Sequence, residues 1–303
     1  MRLRPLEAVN LASVILLSAL TLAVHGHLAD PGGILLRYAI MAAGVVGIAL
    51  LARREARLPP SLRILVNFYP MALIPFLYES LGPLIPAVNP HPRDALLIAA
   101  DRRLFHTDAT VWLERWTNPR LTDVLFVAYL TYYFIAIALG VVVWLKDRPA
   151  LRRLVFTLTL SYFASYAGYF AVPALGPRYA LADKHFKPIA ATATSQTIVA
   201  TLDRLEHTKF DVFPSGHTMI AVVVLLVAWK RARRAFWFLM PVAAALIVST
   251  VYCRYHYVVD LMAGAILALV CVPLGDRIYD WWMGQRVPGA WSVVRGPWSR
   301  TKD

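Results

Sequence analysis

The chain has 303 residues, of which 59% are hydrophobic and 16% charged. A soluble chain carries about 45–50% apolar and about 25% charged residues, so this composition excludes an ordinary soluble domain and points to a polytopic membrane protein. The two cysteines, Cys253 and Cys271, sit in apolar stretches and give neither a disulfide framework nor a zinc site, and the net charge of +13 needs an explanation from its placement.

In chain order, the sequence predicts eight transmembrane spans. The first lies in the 22 uncharged residues between Glu7 and Asp30; it lacks a small-residue cleavage site after a short apolar core and is expected to be a retained helix, not a signal peptide. The second runs from Gly33 to Ala52 with one charge, Arg37, and the third from Ile64 to Val88, interrupted by Pro70, Pro75, Pro83 and Pro86. Residues 89–120 then mix aromatics with both charge signs, as in Asp101-Arg102-Arg103-Leu104-Phe105 and Trp112-Leu113-Glu114-Arg115-Trp116, a pattern that suits a helix lying in the interface. The fourth span fills the gap from Asp123 to Lys146, and the fifth that from Arg153 to Arg178. Residues 176–212 show no clear periodicity and are expected to be a loop over the outer face. The sixth and seventh spans occupy the gaps from Asp211 to Lys230 and from Arg234 to Arg254; the eighth runs from His256 to Leu274 and contains Asp260. Beyond Gly275, Trp281, Trp282, Trp291 and Trp298 stand among arginines, an expected inner-interface anchor. The division expected is 1–60 for two N-terminal spans, 61–275 for the catalytic membrane domain and 276–303 for a cytoplasmic tail. No internal repeat appears.

Placing the N-terminus inside collects 19 Lys and Arg against 6 Asp and Glu on that side, and leaves 11 basic against 12 acidic residues on the other. By the positive-inside rule both termini are cytoplasmic and the surplus charge belongs to that face. A basic nucleic-acid surface is the competing explanation of such a charge; it loses because the charges sit in short connections between spans. The expected setting is therefore the cell (inner) membrane, with the bilayer as partner and no nucleic acid.

The outer ends of the last four spans carry the chemistry. His256 and Asp260 are four apart, which puts both on one helix face, so the carboxylate can hold one imidazole nitrogen and leave the other free as nucleophile or base. An Asp at hydrocarbon depth costs about 2.5–3.5 kcal/mol on insertion scales and marks a functional candidate; a structural His–Asp hydrogen bond is the alternative. His217 follows Pro214-Ser215-Gly216 at a span start, where a capping Ser and free N–H groups can hold an anion; an ordinary capped helix start would look the same. Arg178 sits where the fifth span stops, and its guanidinium can bind two phosphate oxygens or snorkel to headgroups. Arg254 has the same two readings, and Asp211 reads as structural. Topology brings these clusters to one membrane level. Together they are parts for phosphoryl transfer through a phosphohistidine, with no metal and no cofactor.

Gly176-Pro177-Arg178, Pro214-Ser215-Gly216-His217, and Ser249-Thr250 followed by His256 and Asp260 resemble the three motifs of the type 2 phosphatidic acid phosphatase (PAP2) superfamily. Thr250 stands where that family's arginine is usual, Ala171 where its lysine is usual, and Tyr179 where its proline is usual. These departures, with Asp101-Arg102-Arg103-Leu104-Phe105, Trp112, Tyr129 and Tyr132-Tyr133, resemble the inositol phosphorylceramide synthase branch. The resemblance implies an all-α integral membrane fold whose last six spans form a PAP2-like bundle. It implies His256 as nucleophile, Asp260 orienting it, His217 as general acid, and Ser215, Gly216 and Arg178 as phosphate ligands; Arg254 is the expected stand-in for the absent arginine. The expected substrate is a phospholipid or other lipid phosphate at the extracytoplasmic face, released to water or passed to a polyol acceptor by a dedicated headgroup transferase. A lipid or small-solute transporter is the alternative of another class, but inverted repeats and broken midplane helices are not evident. His25-Gly26-His27 lacks a third metal ligand nearby.

Overall fold

The computed structural model describes residues 3–189, 192–206 and 208–284, and every regular element among them is helical. The α-helices are α1 Pro5–Ala23, α2 Pro31–Ala52, α3 Pro60–Phe68, α4 Pro70–Val88, α5 Asp94–Phe105, α6 Ala109–Leu113, α7 Pro119–Leu130, α8 Tyr132–Lys146, α9 Arg148–Ala171, α10 Pro177–Ala180, α11 Ala193–Leu205, α12 Gly216–Arg231, α13 Arg233–Tyr252 and α14 Val258–Trp282. Their starts are written locally. Pro5, Pro31, Pro60, Pro70, Pro119 and Pro177 each open a helix, where the missing N–H costs nothing and φ is already helical. Asp30, Asn118, Asp147, Thr192 and Ser215 cap α2, α7, α9, α11 and α12 by accepting from the amide three residues on.

Among the described residues, six helices are long and apolar enough to cross a membrane: α1, α2, α3 and α4 taken together as Pro60–Val88, α9, α13 and α14. This is an integral membrane protein. The other two predicted spans are helical but differ in form. The fourth is α7 and α8, bent by 49° where Thr131 separates them. The sixth is α12, only 16 residues long, because the segment ahead of Pro214 is steered away from helical geometry and the helix begins at Gly216. Residues 89–120 form two short helices, α5 and α6, not one; α5 ends at His106 with φ 57°, a left-handed cap. The segment predicted as a loop, 176–212, contains α10 and α11. Helix α11 hides in a polar composition because its apolar stripe is narrow: Ile198 and Val199 pack on the Leu125–Phe126–Tyr252 cluster, and Leu202 is buried. Helix α14 extends to Trp282, carrying Trp281 and Trp282 at its end; Trp291 and Trp298 lie outside the described residues.

Helix α12 is the axis of the bundle, packed against α8, α9, α13 and α14. Met219, Ile220, Val223 and Val224 on it are fully enclosed, which explains how so short a helix holds its place. The α1–α2 hairpin lies outside, against α9 and α4. Only 22% of the most apolar window of α2 is buried, against 56% for α9, so α2 offers its apolar surface to lipid.

Candidate active site

The starts of α12 and α14 meet. The Ser215 amide donates to the Asp260 carbonyl at 3.0 Å, while the Ser215 hydroxyl caps α12 by accepting from the Thr218 amide at 3.2 Å. A glycine is required on the facing side, since a Cβ at Gly264 would stand 2.4 Å from the Ser215 carbonyl oxygen. This crossing sets His217, in the first turn of α12, beside His256, just ahead of α14. His217 Nδ1 lies 3.2 Å from His256 Nε2. The other nitrogen of His256, Nδ1, faces Asp260 Oδ2 at 3.5 Å, an ion-pair distance slightly beyond a hydrogen bond. That carboxylate oxygen also accepts from the Tyr257 amide at 2.9 Å. His217, His256 and Asp260 are 8%, 3% and 0% exposed. His217 Nε2, His256 Nδ1 and Asp260 Oδ1 are buried without a hydrogen-bond partner, an arrangement that costs free energy unless something is to bind there.

The bend between α7 and α8 lies beside this pair. It brings Tyr129 and Tyr132, from either side of the break, against the His217 ring at centroid distances of 4.7 and 4.2 Å. Tyr129 also stacks on Tyr255 at 4.6 Å. The aromatic wall fixes the imidazole plane.

Two carboxylates of α5, unassigned in the sequence, hold the rest of the site in register. Asp94 accepts from the amides of Leu175 and Gly176 at 2.9 and 2.8 Å and from the Tyr257 hydroxyl at 2.9 Å, tying the turn before Arg178 to the turn before α14. Gly176 takes φ 87° there, a conformation that favours glycine. Asp101 accepts from the amides of Val258 and Val259 at 2.9 and 2.8 Å, so α5 caps α14 across the fold. The signal was present only as an acidic residue near each end of a short amphipathic segment.

A cavity of about 220 Å³ opens over the histidines, and Arg178, Asp203, Glu206, Lys209, Asp211, His217 and His256 are among the residues lining it. Arg178 donates from both Nη atoms to Asp203 of α11, at 2.8 and 2.9 Å. Asp211 accepts from the Tyr78 hydroxyl at 2.6 Å. The Tyr133 hydroxyl donates to Glu206, yet burial, reinforced by Asp211, Glu79 and Asp203, pushes the Glu206 carboxyl up to about 7. Ser215 and Gly216, expected as phosphate ligands, are buried and are not among the residues that line the cavity. Arg254 is not brought to the cavity. Its backbone is left-handed at φ 67°, and Nη2 donates to Glu114 Oε1 at 2.8 Å and to the Lys187 carbonyl at 2.7 Å, so the expected stand-in instead fastens the α6 region to the connection between α10 and α11.

Residues 95–274 match the PAP2 superfamily, a span that holds every cavity residue named above. A curated relative, a PA-phosphatase related-family protein of Dictyostelium discoideum, is 24% identical over 176 residues, covering 51% of this chain and 32% of the relative. The chain thus spans about a third of the length of that relative. No solved structure gives a significant match.

Proposed function

Because the chain belongs to the PAP2 superfamily, we propose that it is a membrane-embedded phosphoesterase or phosphotransferase acting on a lipid phosphate at the outer membrane face through a phosphohistidine. The observation that carries this reading is the unequal treatment of the two nitrogens of His256: Nδ1 faces a buried carboxylate while Nε2 faces a second imidazole at the cavity. Nε2 attacks phosphorus, forming the P–N bond as the bond to the lipid oxygen breaks. His217 gives its proton to the departing oxygen, and Asp260 offsets the positive charge that develops on His256. In the second half, the oxygen of water or an alcohol attacks phosphorus, the P–N bond breaks with its electron pair returning to His256, and the hydroxyl proton passes to His217. Ser215, Gly216 and Arg178 hold the non-bridging oxygens, Arg178 by exchanging Asp203 for phosphate. The donor set is imidazole and guanidinium, so no metal ion enters the reading.

In the same reading the chain crosses the cell (inner) membrane eight times, through α1, α2, α3–α4, α7–α8, α9, α12, α13 and α14, with both termini cytoplasmic. The last six spans make the catalytic unit, and α5 and α6 lie at the outer interface. A dedicated headgroup transferase is the second reading. It is favoured by Asp203, Glu206 and Asp211 lining the cavity, since carboxylates repel a phosphate but accept hydrogen bonds from the hydroxyls of a polyol.

The deciding experiment uses the full chain in detergent with a panel of ³²P-labelled lipid phosphates and an alkaline quench, which preserves phosphohistidine. Label retained in base, lost in acid and mapped to His256 supports the mechanism; turnover without such label overturns it. Repeating the panel with a polyol present separates free phosphate from new lipid.

A further inference from the structure

We propose that Lys209 is the cation that captures the phosphate group entering the cavity, an assignment that rests on the reading of the site as a phosphoryl-transfer centre. The basis is a census of the positive charges within reach. Thr250 and Ala171, at the two positions where the resemblance calls for cations, carry none. Arg254 is spent on Glu114 and the Lys187 carbonyl. Arg178 lines the cavity, but both ends of its fork are on Asp203. Lys209 also lines the cavity and makes no hydrogen bond or ion pair among the described residues; its ammonium lies 5.6 Å from the Tyr179 ring centre. The other lysines of the outer loop are engaged, Lys184 with Asp108 at 3.4 Å and Lys187 with the Glu114 carbonyl at 3.2 Å.

The charge balance of the lining favours this spare cation. With Arg178 and Asp203 cancelling each other, the remaining acidic and lysine side chains of the lining are Glu206, Asp211 and Lys209. Without Lys209 a phosphate dianion meets two carboxyl groups there and no lysine or arginine free of a carboxylate partner. A lysine suits the entry step because its ammonium is a compact charge with three donors on a flexible stem, able to follow the group from the rim toward His256. Below the rim, His217 is 8% exposed with Nε2 buried and unpartnered, at the inner end of the same cavity.

The test measures binding of inorganic orthophosphate to the full-length protein in detergent by titration calorimetry, beside the phosphoenzyme label. Lys209→Gln should weaken phosphate binding about 10-fold to 100-fold, the range of a hydrogen bond to a charged group. Lys209→Arg should stay within about threefold of wild type, since the charge and donors are kept. Arg204→Gln, which removes an exposed neighbouring charge on α11, should leave the affinity unchanged. Affinity of Lys209→Gln within twofold of wild type overturns the assignment, as does an equal loss in Arg204→Gln, which would mean diffuse attraction. A wild-type chain that forms labelled phosphohistidine but binds no orthophosphate also overturns Lys209 alone. A chain that binds phosphate through Lys209 yet takes no label on His256 overturns the covalent mechanism alone.

Discussion

At the floor of the cavity, His217, His256 and Asp260 are 8%, 3% and 0% exposed and are fixed by the crossing of α12 and α14. Along its rim, Asp203, Glu206 and Lys209 sit on the end of α11 and the connection to α12, half-buried or exposed; Asp203 and Glu206 are held by side-chain pairs to Arg178 and Tyr133, and Lys209 is not. The floor is rigid because backbone hydrogen bonds and a helix crossing place it, and backbone placement is dry and cooperative. The rim is adjustable, since pairs between partly exposed charges contribute only about 0.2–1 kcal/mol each. Chemistry that needs sub-ångström placement belongs on the first, and capture and exchange of a charged ligand belong on the second. Floor substitutions are therefore expected to act on kcat, and rim substitutions on KM and on stability.

The largest effect expected is from His256→Ala. Removing the nucleophile should eliminate both turnover and label on every substrate, measured as phosphate release and ³²P incorporation. A labelled His256→Ala protein would move the covalent step elsewhere. His217→Ala is next. General acid catalysis is worth about 10²–10⁴-fold and matters most for poor leaving groups, so activity on a lipid alkyl phosphate should fall by that factor while an activated aryl phosphate loses less. Equal losses on both substrates would show that His217 does not protonate the leaving group, and the floor would then hold one catalytic imidazole instead of two.

Asp203→Asn reverses the sign and probes the rim. The Arg178–Asp203 pair is bidentate, but its side chains are 28% and 47% exposed, so breaking it releases Arg178 at little cost. KM for a lipid phosphate should fall by up to about fivefold, the worth of an exposed pair, with kcat unchanged. A rise in KM would mean that Asp203 aligns the guanidinium for phosphate and does not compete with it.

The same contrast decides what could be read from the sequence. The floor is written in short spacings: four residues from His256 to Asp260, and a capping Ser two residues before His217. Such local patterns are visible without a fold. Asp94 and Asp101 reach across 81 and more residues to the turns they hold, and no periodicity announces a carboxylate that caps another helix. The Asp203 partner of Arg178 and the free state of Lys209 depend on where α11 comes to rest, and α11 itself was unreadable because its apolar stripe is confined to one side of a polar segment. Arg254 looked available for the same reason, since nothing near it in sequence foretells Glu114 as its partner. The apolar lengths of the spans were legible throughout, but the break at Thr131 was not, because Tyr129 and Tyr132 turn toward a histidine that lies some 85 residues further along the chain.

The smallest effect expected separates ionisation of the rim from its packing. Glu206 titrates at about 7 in the folded protein, above the roughly 4.3 of a free Glu, so the folded state prefers its protonated form. Below the unfolded value both states are protonated and Glu206 contributes no penalty. As pH rises past that value toward the folded one, the unfolded chain ionises first and folding bears a growing cost, which is complete once the folded carboxyl has ionised above about pH 7. Stability should therefore decline between about pH 4.5 and 7.5 through this group. Glu206→Gln keeps an acceptor for the Tyr133 hydroxyl but cannot ionise. Its unfolding temperature in detergent, followed by intrinsic fluorescence, should match wild type near pH 4.5 and exceed it by a few degrees at pH 8. The main cause is burial, reinforced by Asp211, Glu79 and Asp203, so part of the gain should be lost in Glu206→Gln, Asp211→Asn relative to Asp211→Asn alone. A gain that is the same at both pH values would assign the effect to packing, and the rim would then owe nothing to the ionisation of Glu206.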